Sequence, residues 1–158
     1  MAVYFLDTSA VVKIYVEENG SDWLQGITTP SPDDHFVIAR ITEVEFTSAT
    51  TRRRILASIT GDGAAAALSE FRHDVSQFYR ILEITTDLLH RAVSIAERHG
   101  LRACDAVQLA GALTVSTRYP ALVMISSDRV LNNVAALEGL SVDDPNQHPN
   151  QTENLRRE

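Results

Sequence analysis

The chain has 158 residues, 44% of them hydrophobic and 22% charged, with a single cysteine. That predicts one domain large enough to bury a substantial core with no internal disulfide or structural metal. Fourteen Lys+Arg against 21 Asp+Glu give a net charge of −7, which argues against holding nucleic acid through bulk positive charge.

The first apolar run, Ala2 to Leu6, is rich in β-formers and stops at Asp7-Thr8-Ser9; Ala10 to Tyr15 then reads as helix. That run is too short for a signal peptide's apolar stretch, and no segment approaches the roughly 18 residues of a membrane span. A cytoplasmic domain is the expectation. His35 to Ile38 is a second strand, after a Pro/Asp loop at Pro30 to Asp34. Ile41 to about Ile59 reads as a long helix, broken at Gly61-Asp62-Gly63. Leu68, Phe71, Val75, Phe78 and Tyr79 fall on one face of the next helix. Ile81 to Ile84 is a third strand, and Thr86 is placed to cap a helix that Gly100 closes. Leu101 to Thr117 holds another helix, with Ala106, Leu109, Ala110 and Leu113 on its apolar stripe. Ala121 to Ile125 is the fourth strand, followed by Ser126-Ser127-Asp128 and a helix to about Leu137; Leu140 to Val142 is the fifth.

Five strands separated by six or seven helices imply an α/β domain over residues 1–144, its mostly parallel sheet covered by helices on both faces. From Pro145 to Glu158 the only large apolar residue is Leu155, so this stretch is expected to be a mobile tail.

Asp7 follows the first strand and Asp128 the fourth, and in a parallel sheet the carboxyl ends of the strands share one edge, where ligands bind. Each also suits the N-cap of the helix after it. Asp105 lies early in its helix, at the border of the apolar stripe, where it could equally complement the helix dipole. Thr42 and Glu45 match a capping box, and Glu43 competes with Glu45 for any chemical role. Carboxylates crowded together raise one another's pKa unless a positive group joins them, and an all-oxygen set selects Mg²⁺ or Mn²⁺ over zinc. The five His are scattered and read as surface or structural, and Cys104 has no matched His or second Cys.

Taken together, Phe5-Leu6-Asp7-Thr8-Ser9-Ala10, Ile41-Thr42 with Glu45, Leu101-Arg102 with Asp105-Ala106 and Leu109-Ala110, and Ser126-Ser127-Asp128 resemble the motifs of a PIN domain. Order, spacing and length are especially similar to those of VapC toxins of bacterial type II toxin–antitoxin pairs. The resemblance covers about residues 2 to 143. It implies a three-layer α/β/α sandwich with strand order 3-2-1-4-5, setting strands one and four side by side. It further implies that Asp7, Glu45, Asp105 and Asp128 form the acidic site, with Asp7, Asp105 and Asp128 holding Mg²⁺ or Mn²⁺. Glu45 would be an additional ligand or a base, and Ser9 and Ser126 supporting hydroxyls. The expected activity is metal-dependent hydrolysis of RNA, with one or two ions. The expected partners are a VapB-type antitoxin and a second copy of the chain in a homodimer.

Thirteen of the 14 basic residues are Arg, whose planar fork suits phosphate. Arg40, Arg102 and Arg129 stand near the acidic motifs as candidate substrate contacts, and Arg52-Arg53-Arg54 is the densest run. A haloacid dehalogenase-type phosphotransferase needs a second Asp where Ser9 stands. A receiver domain needs a Lys near the last strand, and Lys13 is the only one. The remaining alternative is a non-catalytic PIN-like module that binds protein or RNA.

Overall fold

The computed structural model describes residues 1–29 and 33–150. Part of the expected Pro30 to Asp34 loop and the last eight residues of the expected tail lie outside them. The chain runs β1 (Val3–Leu6), α1 (Thr8–Tyr15), α2 (Ser21–Ile27), β2 (His35–Ala39), α3 (Thr42–Ile55), α4 (Gly61–Gln77), β3 (Arg80–Leu82), α5 (Thr86–His99), α6 (Ala103–Ser116), β4 (Val123–Ile125), α7 (Arg129–Leu137) and β5 (Ser141–Asp143).

All four strand pairings are parallel and the order is β3-β2-β1-β4-β5. The central strand β1 alternates between two cores, as a strand buried on both faces must. Val3 and Phe5 point into a layer built with Leu88, Ala92 and Ile95 of α5, Leu109 and Ala110 of α6, and Leu131 of α7. Tyr4 and Leu6 point to the other side, against Val11 of α1, Leu24 of α2, Phe46 of α3 and Phe71 of α4. Phe46 and Phe71 pack at 4.1 Å between centroids and Tyr15 meets both edge-on, so aromatic contacts tie α1, α3 and α4 into one layer. The architecture is the expected three-layer sandwich.

Several boundaries differ from expectation for local reasons. The cap of α5 is Thr85, whose hydroxyl accepts from Leu88 N, so Thr86 is already helical. Helix α3 ends at Ile55, with Ala57 at φ 55 turning the chain toward α4. Helix α2 has too short an apolar pattern to be visible in the sequence, and its cap comes from 130 residues away. Its N-cap, Gly20, has no side chain to offer and sits at φ +87; Asn150 Oδ1 instead accepts from Gly20 N (3.1 Å) and Asp22 N (3.2 Å). Asn150 also donates to Glu18 O, and His148 stacks on Trp23 at 3.9 Å. Residues 145–150 therefore do not match the mobile tail expected from Pro145: a polar side chain is buried there because it satisfies a helix end.

Helix α6 approaches β1 closely at Gly111, where a Cβ would come to 3.0 Å from Phe5 Cζ and 3.2 Å from Leu82 Cδ2. Because α6 also carries Asp105, in its first turn, this contact helps set where that carboxylate lies. Gly111→Val is expected to cost about 1–3 kcal/mol through overpacking, read as a lower midpoint in urea unfolding with an unchanged slope.

Candidate functional site

Sheet order decides which side chains meet. With β1 and β4 paired through Leu6↔Ile125, their carboxyl ends deliver Asp7 and the Ser126-Ser127-Asp128 turn to one place. Both aspartates do cap the helices that follow: Asp7 accepts from Ser9 N, and Asp128 accepts from Leu131 N. Capping leaves each with an oxygen for other work. Asp7 Oδ2 collects Ser9 Oγ (2.6 Å), Ser9 N (3.1 Å) and Ser126 Oγ (3.2 Å). Ser9 Oγ in turn accepts from Ser127 N, and Ser126 Oγ from Asp128 N, so the two serines stitch the β1 and β4 turns together.

Asp7 is only 5% exposed. Burial pushes its carboxyl up to about 6 against the lowering effect of the Ser9 hydrogen bonds, and the negative charge of Glu45 adds to the rise. Asp105, in the first turn of α6, and Asp128 are joined by Arg102: Nε donates to Asp105 Oδ2 (2.7 Å) and Nη2 to Asp128 Oδ2 (3.0 Å). Arg102 itself is 77% exposed, and both carboxylates hold it more firmly charged. Its guanidinium reaches in from solvent to offset charge that the fold has gathered.

Glu45 enters from α3, and its neighbours overturn the capping-box expectation. The N-cap of α3 is Ile41, and Thr42 is buried inside the first turn with its hydroxyl accepting from Gln108 Nε2 (3.0 Å). Glu45 Oε2 accepts from Thr8 Oγ1 (2.8 Å) and Gln108 Nε2 (2.7 Å), so it reaches sideways to α1 and α6 and not back to its own helix end. Glu43 points elsewhere, paired with Arg40 on the surface.

Asp7, Glu45, Asp105 and Asp128 line one cleft of about 540 Å³, together with Arg52 and Arg102. Of the other basic candidates, Arg40 is held by Glu43 and Glu83 outside the cleft lining, and Arg129 lines a separate hollow with Asn132 and Asp143. Within the Arg run, Arg52 faces the cleft while Arg53 turns to Glu18. Cys104 also lines the cleft, and burial together with the charges of Glu45 and Asp105 pushes its thiol up, away from the reactive thiolate. Sequence reasoning missed Gln108 and Thr8. The available signal was a polar residue three positions after Asp105, on the same helical face and flanked by Val107 and Leu109.

In donor chemistry the four acids suit a hard divalent cation: all are oxygen ligands, and one is strongly desolvated. No three acid, imidazole or thiol side chains among the described residues are grouped to hold one ion as they stand, and Arg102 spans two of the acids.

A PIN domain model matches residues 4–137. Over 145 residues the chain is 30% identical to ribonuclease VapC45 of Mycobacterium tuberculosis (strain CDC 1551 / Oshkosh), and equally to ribonuclease VapC49 of strain ATCC 25618 / H37Rv. Each alignment covers 90% of this chain and 95% of the relative. Among solved structures, Mycobacterium tuberculosis VapC20, described as a sarcin-ricin loop cleaving toxin, is similar with a TM-score of 0.63 at 18% identity, over 87% of this chain and 95% of that one. VapBC2 from Rickettsia felis, bound to a DNA fragment from their promoter, is similar with a TM-score of 0.61 at 13% identity, over 90% and 98%. At those identities the two structures speak for the fold. With the family match spanning most of the sequence and VapC relatives aligned along nearly all of it, the chain belongs to the PIN domain family, among its VapC-type members.

Proposed function

We propose that the chain is an endoribonuclease toxin that hydrolyses RNA phosphodiester bonds with Mg²⁺ or Mn²⁺ held by Asp7, Asp105 and Asp128. The observation that carries this reading is the buried Asp7 carboxylate, gathered with three more acids around a cleft where Arg102 pairs with only two of the four. Such a cluster is poor design for stability and apt design for a divalent ion. The chain's similarity to proteins named ribonucleases supports the same chemistry.

A divalent ion bound there would lower the pKa of a coordinated water and offset charge on the phosphate oxygens. The chain's own residues supply the rest. Asp7 is fixed by Ser9 and Ser126, so its position is set before any ligand arrives. Glu45, anchored through one oxygen, would take the proton of the attacking water or add a ligand. Arg52 and Arg102 line the cleft with forks suited to phosphate, and engaging substrate through Arg102 would release Asp105 and Asp128.

The VapC-named relatives support a VapB-type antitoxin as the neutralising partner; the same reading makes the chain a cytoplasmic homodimer. Val44, at the cleft, and Ile55 and Leu56 at the end of α3 are exposed apolar side chains that such a partner could cover.

Purified protein is expected to cut RNA when Mg²⁺ or Mn²⁺ is supplied. Loss of activity of at least about 100-fold is expected for Asp7→Asn and for Asp105→Asn, and complete loss in EDTA. Cleavage that persists in EDTA would refute the metal mechanism, and a wild-type chain that binds RNA without cutting it would favour a binding module.

The electrostatics of Asp7 predict an opposite effect on stability. The folded chain keeps this proton to about pH 6, whereas an ordinary Asp releases it near 3.8, so the folded state binds more protons between those values and stability falls as pH rises through them. Asp7→Asn removes a penalty of about 3 kcal/mol at neutral pH and nearly none at about pH 4. Calorimetric scans of metal-free protein should therefore show the variant melting higher than wild type near neutrality, with the difference closing in acid.

A further inference from the structure

We propose that Gln108 is a positioning residue that holds Glu45 in one orientation, with one carboxylate oxygen locked and the other left for the cleft; this rests on the hydrolytic reading above. Gln108 is fully buried in the middle of α6. Its Nε2 donates to Glu45 Oε2 at 2.7 Å and lies 3.1 Å from Thr8 Oγ1 and 3.0 Å from Thr42 Oγ1. Thr8 Oγ1 donates its own proton to the same Glu45 oxygen at 2.8 Å. Both the N–H and the O–H hydrogen bonds that Glu45 receives thus end on Oε2.

The chemistry of these groups fixes which way the amide faces. A carboxylate oxygen only accepts, so the group against it must be a donor; the reverse amide orientation would set Gln108 Oε1 against a negative oxygen. In the orientation the carboxylate demands, Oε1 is left buried with no hydrogen-bond partner among the described residues. An unpaired buried carbonyl is costly, and a position serving packing alone would be better filled by Leu or Met. The amide is retained at that cost because its two N–H bonds reach Glu45 and Thr42 of α3 while Thr8 of α1 donates to the same Glu45 oxygen, tying three helices together at the acid: α1, α3 and α6 itself. Carboxylates that act in catalysis are commonly oriented by such neighbours, whose removal costs about 10–100-fold in activity or affinity.

The first test needs no substrate. In ¹⁵N-labelled wild-type protein the Gln108 side-chain amide protons are expected to exchange slowly with solvent. Glu45→Ala should shift both resonances and speed their exchange; an amide pair indifferent to Glu45 overturns the proposal. The second test compares Gln108→Leu, which keeps the volume and removes the donor, with Gln108→His, which keeps a ring N–H. On an RNA oligonucleotide that the wild type cuts, Gln108→Leu should lower kcat about 10–100-fold with KM changed less than about threefold, and Gln108→His should recover most of that loss. Wild-type kcat in a folded Gln108→Leu, or a folded Gln108→His no better than Gln108→Leu, overturns it. Should Gln108→Leu not fold, the amide exchange and the Gln108→His variant still decide. If the wild type cuts no RNA, the ribonuclease reading falls and the exchange measurement alone judges the Gln108–Glu45 tie.

Discussion

A carboxylate buried at the end of the central strand is the constraint around which the rest of this molecule is arranged. Asp7 loses most of its hydration where β1 stops, and nothing in the hydrophobic layers above and below can replace it. The surroundings respond in two ways. Hydroxyls and an amide N–H from the β1 and β4 turns take one of its oxygens. Arg102 neutralises its acidic neighbours from the solvent side. Neither removes the desolvation that raises the Asp7 carboxyl.

Helix ends and site are built from the same atoms. Asp7 and Asp128 each cap a helix and line the cleft, Ser9 lies in the first turn of α1, and Thr42 gives up a capping role to receive an amide from α6. Helix N-termini thus surround the acids with backbone N–H groups, which tempers the repulsion among four carboxylates. The −7 of the whole chain acquires a different meaning in this setting. Four of those charges lie in one cleft, beside two arginines, and so describe a local pocket and not a surface hostile to RNA.

The sheet was legible in the sequence because its strands are short apolar runs bounded by acids, Ser and Gly. The parallel arrangement follows from their alternation with helices. Asp7, Glu45, Asp105 and Asp128 were legible as a set through their motifs, and the structure brings all four to one cleft. What stayed hidden depends on contacts between distant residues. Nothing near Thr42 shows that its hydroxyl belongs to Gln108, 66 positions on, and not to a capping box. Nothing near Gly20 shows that Asn150 completes α2. Arg40 and Arg129 lie beside acidic motifs in sequence, yet neither lines the cleft, because neighbours in sequence at the end of a strand diverge to opposite sides of a turn.

The placement of β1 between β2 and β4 also bears on how the protein is made. Asp7 leaves the ribosome well before its hydrogen-bonding partner Ser126, which lies 119 residues later. Strands β1, β2 and β3 can pair during elongation, whereas the far wall of the cleft cannot exist until the β4 turn has emerged. A growing chain therefore carries its acids apart, and the pocket is assembled only after the β4 turn has emerged, a useful order of events for a protein whose folded form would cut RNA.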